Sequence, residues 1–222
     1  MAVPGVLMRL VEPRATTLAS SDSTFVPPNV EATQFLEAND SQKPSQNAVY
    51  YLSDISPLLS TSSAYDEDVR AHGSELTSIS WVVCSFINGR DGPHLGSGSD
   101  ITSSSVEYTM SGPPATGSVV VINGSTPRPD KEQEYHDWYD QEHGEKLTLV
   151  PGWNSARRYR FEKSYGDVET ANFYGFNYYD EKNGLGGPEW KAGVTEWTLR
   201  IRSNAAKPNI RRVWSVVSTS VP

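Results

Sequence analysis

The sequence predicts an α+β fold made of two similar halves, each carrying the β-α-β-β-α-β order of a ferredoxin-like unit. Three observations carry this. The second half shows that order in clean periodic signals. The first half repeats it with one element missing, weak in identity but consistent in pattern. A Gly/Ser/Pro-rich stretch, Asn88 to Gly117, lies between them. The 222 residues fit one large domain or two small ones, and roughly 100 residues per half suffice for a core. We therefore expect a degenerate N-terminal repeat over 1–92, a linker over 93–117 and a C-terminal repeat over 118–222. At roughly 30 residues the connector is long for a compact domain, so it reads as mobile or as a lid.

In the second half, Ser118 to Ile122 is a β-branched run, hence a strand. Thr126-Pro-Arg-Pro-Asp130 follows as a loop, with Asp130 placed to cap a helix from Lys131 to Leu149. Val150-Pro-Gly-Trp153 ends that helix, because proline cannot continue it and glycine supplies the turn. Asn154 to Glu162 alternates, with Arg157, Tyr159 and Phe161 on one side and Arg158, Arg160 and Glu162 on the other. Asn172 to Asp180 is an aromatic strand, Gly187 to Trp197 a short helix, and Arg211 to Ser218 the last strand.

The first half lays over this. Gly5 to Val11 matches the opening strand, Val30 to Ala38 the second, Ala48 to Asp54 the aromatic third, and Ile79 to Ile87 the last. Ser60 to Glu75 holds the second helix, and Trp81 and Trp214 fall near the same place in their strands. Between Val11 and Val30 the Ser/Thr/Pro-rich residues show no helical apolar stripe, so the first helix is expected to be absent or replaced by a loop.

The formal net charge of −8 argues against a nucleic-acid partner, which needs a basic footprint. No apolar run approaches the ~20 residues of a membrane span, and the N-terminus lacks the form of a signal peptide. A cytoplasmic location is expected. Cys84, the single cysteine, excludes an intrachain disulfide and a cysteine zinc site, and reads as a small buried residue. Gly96-Ser-Gly98 and Asn183-Gly-Leu-Gly-Gly187 lack the strand–helix context of a nucleotide fingerprint and read as turns.

Chemistry concentrates on Lys131 to Val150. At about 100° per residue, Tyr135, Tyr139, Val150, His143, His136 and Leu147 form one stripe, opposite a polar arc of Gln133, Asp137, Gln141, Glu134 and Glu145. The sheet-facing side of this helix thus carries two histidines and two tyrosines. Buried imidazole needs its nitrogens satisfied or a use for them. His143 reads either as a general acid/base, with Tyr139 one turn away, or as a core histidine bonded to a backbone carbonyl or tyrosine. His136, Asp140 and His143 have metal-compatible spacing, but no fourth ligand is evident, and no metal is expected. Trp190 and Trp197 read as helix core.

Glu134-Tyr-His-Asp-Trp-Tyr-Asp-Gln-Glu-His143, then Val150-Pro-Gly-Trp153, then Ala156-Arg-Arg-Tyr-Arg160 resembles the signature of EthD-like proteins of the dimeric α/β-barrel superfamily. The resemblance is dense over Glu134 to Arg160; elsewhere it is one of element order. It implies a barrel of two sheets with a pocket between the first helix and the sheet of the intact repeat. It also implies cofactor-independent chemistry on polyketide-derived or terpenoid intermediates, of the kind found in fungal secondary metabolism. The motif histidine carries over to His143 and the Trp-Tyr pair to Trp138 and Tyr139. His136 stands where the family usually has asparagine.

The leading expectation is a cofactor-free enzyme that moves a proton in cyclising, isomerising or decarboxylating a hydrophobic, oxygenated substrate. The expected catalytic residues are His143, Tyr139, His136 and Tyr159. Arg157 or Arg158 is expected to hold an enolate or carboxylate, with Trp138, Trp153, Tyr51, Trp81, Tyr174 and Trp214 lining the pocket. A pericyclase that templates a polyene or quinone methide is the second expectation, and a non-catalytic binding protein the third. Two repeats can close a barrel within one chain; a homodimer is compatible with the same sequence.

Overall fold

The computed structural model describes residues 2–14, 25–92 and 116–220. Their β-branched and aromatic runs form β1 (Gly5–Pro13), β2 (Val30–Ala38), β3 (Gln46–Leu52), β4 (Leu76–Asp91), β5 (Val119–Ser125), β6 (Trp153–Tyr165), β7 (Phe173–Tyr179) and β8 (Ile210–Ser220). All neighbours pair antiparallel, in the closed order β1-β3-β2-β8-β5-β7-β6-β4. Each half contributes the 4-1-3-2 sheet of a ferredoxin-like unit, as the sequence predicts. Two seams join the sheets: Gln34 opposite Thr219 between β2 and β8, and Ser85 opposite Arg160 between β4 and β6.

Strand alternation assigns each side chain to the barrel interior or to the helix-covered outer face. Val6, Met8, Tyr51, Val82 and Cys84 from the first half meet Val120, Ile122, Tyr159, Phe176 and Trp214 from the second in one interior core. Burying each such side chain is worth roughly 1.5–3 kcal/mol, so the two halves are held together by shared interior packing. Cys84 is fully buried there, and burial pushes its thiol pKa up.

On the outer face of the first half lie α1 (Ser56–Ser60) and α2 (Ser63–His72), over Leu7, Tyr50, Trp81 and Val83. The second half carries α3 (Glu132–Trp138), a π-helical turn (Tyr139–His143) and α4 (Gly144–Thr148), then α5 (Pro188–Ala192) and α6 (Glu196–Ser203). No helix among the described residues is long and apolar enough to cross a membrane.

Ser60 to Glu75 holds the second helix, α2, as expected; a short α1 precedes it, with Thr61 extended between them. Several other expectations need correction. Gly187 to Trp197 splits in two, because Thr195 is extended and its hydroxyl caps α6 by accepting from the Thr198 amide at 3.1 Å. Asp130 caps nothing: the chain enters α3 through a 3-10 turn, Pro129–Lys131, and the Asp130 carboxylate sits 3.7 Å from Arg128. Trp81 and Trp214 are not equivalent, since Trp81 faces α2 and Trp214 faces the interior. Asn88 to Asp91, read as the start of the connector, extend β4 and pair with Ser155 to Arg158 along the seam. The rest of the connector that lies in 93–115, and most of the segment read as a lost first helix (15–24), fall outside the described residues.

Candidate active site

The long helical segment of the second half is irregular at its centre. The Gly144 amide donates to the Tyr139 carbonyl, an i→i−5 bond. This widening changes which residues share a face. Trp138 and His143, five apart, would diverge by about 140° on an α-helix. Here their rings stack, with centroids 4.2 Å apart and planes at 19°. Tyr139 meets the same imidazole edge-on at 5.4 Å.

Beneath this turn lies a cavity of about 180 Å³ between the helices and the outer face of β5 and β7. Tyr135, Trp138, Tyr139 and His143 line one wall. Asn123, Ser125, Gly175 and Asn177 form a polar floor on the sheet. Trp190, Thr198 and Ile201 close the far side, and Lys146, Arg202, Asn209 and Arg211 reach it from the rim. The floor follows from alternation: Val119, Val121, Asn123 and Ser125 share one face of β5, and Gly175 and Asn177 share one face of β7. Gly175 is needed for close approach, since a Cβ there would lie 3.2 Å from the Tyr139 hydroxyl.

Two polar groups on this wall are unpaired. Neither nitrogen of His143 makes a hydrogen bond among the described residues, and Nδ1 is sealed from solvent. The Tyr139 hydroxyl is also buried without a partner in hydrogen-bonding geometry, although the Asn177 amide is close enough to act on it. Such groups in a native fold call for an explanation. One edge of the imidazole is open to the cavity, so its surface counts as only half-buried. Its surroundings still desolvate it, and with the Arg202 and Arg158 guanidiniums they push its pKa down to about 3. The ring is therefore neutral at physiological pH. Burial pushes the Tyr139 hydroxyl up to about 12, partly opposed by Arg158, so it stays a proton donor.

Trp138 is fixed in turn. Its indole N–H donates to the Thr198 hydroxyl at 3.2 Å, and that hydroxyl is 3.1 Å from Thr195, which donates to Glu142 at 2.6 Å. The stacked wall is thus tied to α6 through a buried chain of hydroxyls.

Of the residues expected to form the site, His143, Tyr139 and Trp138 meet at the cavity. The other expected site residues lie elsewhere. Arg158 lies under the Tyr139 ring at 4.2 Å, donates to Asp140 at 2.7 Å, and donates to His136 Nδ1. A guanidinium can only donate, so His136 Nδ1 accepts and its proton sits on Nε2. Burial, then Arg158, lower the His136 pKa. Arg158 thus stands between His136 and Asp140, which separates the spacing read as metal-compatible. No cluster of three or more candidate ligands occurs among the described residues. Arg157 points to the opposite face of β6 and pairs with Asp91 at 2.8 Å. Tyr159, Tyr51, Tyr174 and Trp214 face the barrel interior, and Trp81 faces α2, where it donates to Asp68. Trp153 lies under the helix and donates to Asn177 at 3.4 Å.

The polar floor went unread, and so did the meeting of Arg202 and Arg211 at its rim. The signal was present on β5, where Asn123 and Ser125 continue an apolar face, and on β7, where Gly175 and Asn177 interrupt an aromatic run. Placing Arg202 and Arg211 required knowing how α6 sits on the sheet.

The first half differs at the corresponding place. Asp68, with a fully buried carboxylate, accepts from Arg9 at 2.7 Å through two nitrogens and from Trp81 at 2.9 Å. Phe25 packs on Trp81 at 4.7 Å, and Tyr65 stacks on Tyr165.

No family model matches the chain, and neither does any curated protein sequence. Solved structures do match. An anthrone oxidase-like protein superposes with a TM-score of 0.64 at 13% identity, over 98% of this chain and 93% of that one. A Fusobacterium nucleatum protein provisionally assigned as a monooxygenase gives 0.60 at 10% identity, over 99% and 95%. A protein provisionally assigned as a chlorite dismutase gives 0.52 at 11% identity, over 96% and 95%. At such identities the likeness is one of fold: the chain has the dimeric α/β-barrel architecture of two ferredoxin-like repeats.

Proposed function

We propose that this chain is a cofactor-independent enzyme of natural-product biosynthesis, of the EthD-like type, that moves a proton on a hydrophobic oxygenated substrate. The carrying observation is the pair of unsatisfied polar groups, His143 and the Tyr139 hydroxyl, on the aromatic wall of the cavity. A neutral imidazole with no internal partner is a base held ready. It takes a proton from carbon next to a carbonyl, and the enolate oxygen formed is met by the Tyr139 O–H and the Asn177 side chain. Return of that proton at another position completes an isomerisation; carbon–carbon closure completes a cyclisation; loss of carbon dioxide from a β-keto acid leads to the same enolate.

His143 is a weak base in the empty cavity, and one contribution strengthens it during reaction. Enolate charge growing beside the ring favours imidazolium in a medium where charges interact strongly. The Trp138 stack, tied to Thr198, holds the ring for that transfer.

A second reading is favoured by the same low basicity: the cavity acts as a template for a pericyclic closure, with orientation supplying the acceleration. Turnover by His143→Gln separates the two. Proton transfer requires a loss of about a hundredfold or more; a template retains most of its rate.

A further inference from the structure

We propose that the substrate of this cavity carries an acidic group, a carboxylate or an equally acidic enol, which docks at the rim against Arg202 and Arg211 while its ring system enters beside Trp138 and Trp190. The inference rests on the cavity being the site and goes on to name what occupies it.

The charge at this place runs against the rest of the molecule. The chain carries a net charge of −8, yet the cavity is lined by Lys146, Arg202 and Arg211 and by no aspartate or glutamate. The nearby acids are engaged elsewhere: Glu134 accepts from Arg200 at 2.6 Å, and Glu142 accepts from Thr195 at 2.6 Å. None of the three rim cations has an ion pair among the described residues, whereas Arg9, Arg157, Arg158, Arg200 and Arg212 each have one. Arg211 is held at the mouth over the Trp190 ring at 5.9 Å. The imidazole of His143, which has no hydrogen-bond partner among the described residues and lines the same space, points independently to a ligand there.

The dimensions fit an aromatic acid. A cavity of about 180 Å³ is slightly larger than the ~150 Å³ apolar cavity known to take benzene. It encloses one ring, leaving the acidic group and any further ring at the mouth. Arginine suits this role because its planar fork meets a carboxylate with two parallel hydrogen bonds. An anion there also offsets the Arg202 charge that opposes protonation of His143.

The test is binding, not turnover, so it stands apart from the proton-transfer reading. 2-Naphthoate and neutral 2-naphthamide are titrated against the full chain, following the His143 ring-proton NMR signal, identified by its loss in His143→Gln. The expected result is saturable binding of naphthoate at least about tenfold tighter than of the amide, weakened by salt as rim charges require. The Arg202→Gln/Arg211→Gln double variant is expected to remove that preference, bringing the affinities of the two probes together. Equal affinity of the two probes, or a double variant that keeps the preference, overturns the acid-binding proposal alone. Failure of both probes to perturb His143 overturns it together with the cavity as a ligand site.

Discussion

Burial of His143 should be measurable as acid sensitivity of the fold. Free histidine titrates near 6.5, while in the folded chain His143 is held down to about 3. The unfolded chain therefore binds a proton across this window that the folded chain does not. Stability from the neutral ring is complete above pH 6.5 and is lost as pH falls from 6.5 toward 3. One pKa unit is worth about 1.36 kcal/mol, so the full window amounts to about 5 kcal/mol, and the drop from pH 6.5 to 4.5 to about 2.7 kcal/mol. Water entering through the cavity mouth will make the observed value smaller. The assay is urea unfolding of wild type and His143→Gln at several values between pH 7.5 and 4.5. Subtracting the variant's curve removes His136 and the other groups common to both. The difference should narrow by roughly 2 kcal/mol on acidification. Parallel curves would mean that the ring is solvated, and the argument from burial would fall.

Three further outcomes follow from the geometry. Gly175→Ala places a methyl 3.2 Å from the Tyr139 hydroxyl; turnover should fall about tenfold with an unfolding midpoint close to wild type, since a displacement of the donor by a few tenths of an ångström costs orientation more than stability. Thr198→Val strands the Trp138 indole N–H, so stability should fall by about 1–3 kcal/mol, while Thr198→Ser stays near wild type; equal effects of the two would show that the hydrogen bond is immaterial. In the first half, Asp68→Ala leaves Arg9 buried without its counter-charge and should cost about 3–5 kcal/mol by chemical denaturation, with the second-half cavity still binding 2-naphthoate in the fraction that remains folded.

The fold was legible because alternation and β-branching are local. Val30 to Ala38 reads as a strand at the bounds the structure shows, and the aromatic β7 could be placed within a residue or two. The barrel order follows once two β-α-β-β-α-β halves are recognised. Side-chain positions within the site were less legible, for identifiable reasons. The helical wheel assumes 3.6 residues per turn, and the π turn at Tyr139–His143 breaks that assumption. Trp138 thereby comes against His143, which no period of 100° per residue would give. The expectation that interior aromatics such as Tyr51, Tyr174 and Trp214 line the pocket confused the two faces of the sheet: the cavity lies on the outer face, while these residues fill the barrel. Arg157 and Arg158 were correctly put on opposite faces, but each is taken by a carboxylate of the chain itself, Asp91 and Asp140. The arginines left unpaired in the cavity, Arg202 and Arg211, lie on α6 and at the start of β8, more than forty residues on.

The central claim is that His143 moves a proton. It is tested most directly by kcat/KM against pH for wild type and His143→Gln, using the metabolites that accumulate when the gene is deleted in its producer. The account expects a wild-type profile with no inflection near 6.5, because the free enzyme's imidazole is held near 3, and a variant slower by about two orders of magnitude or more across the range. A variant that retains most of its rate would contradict it.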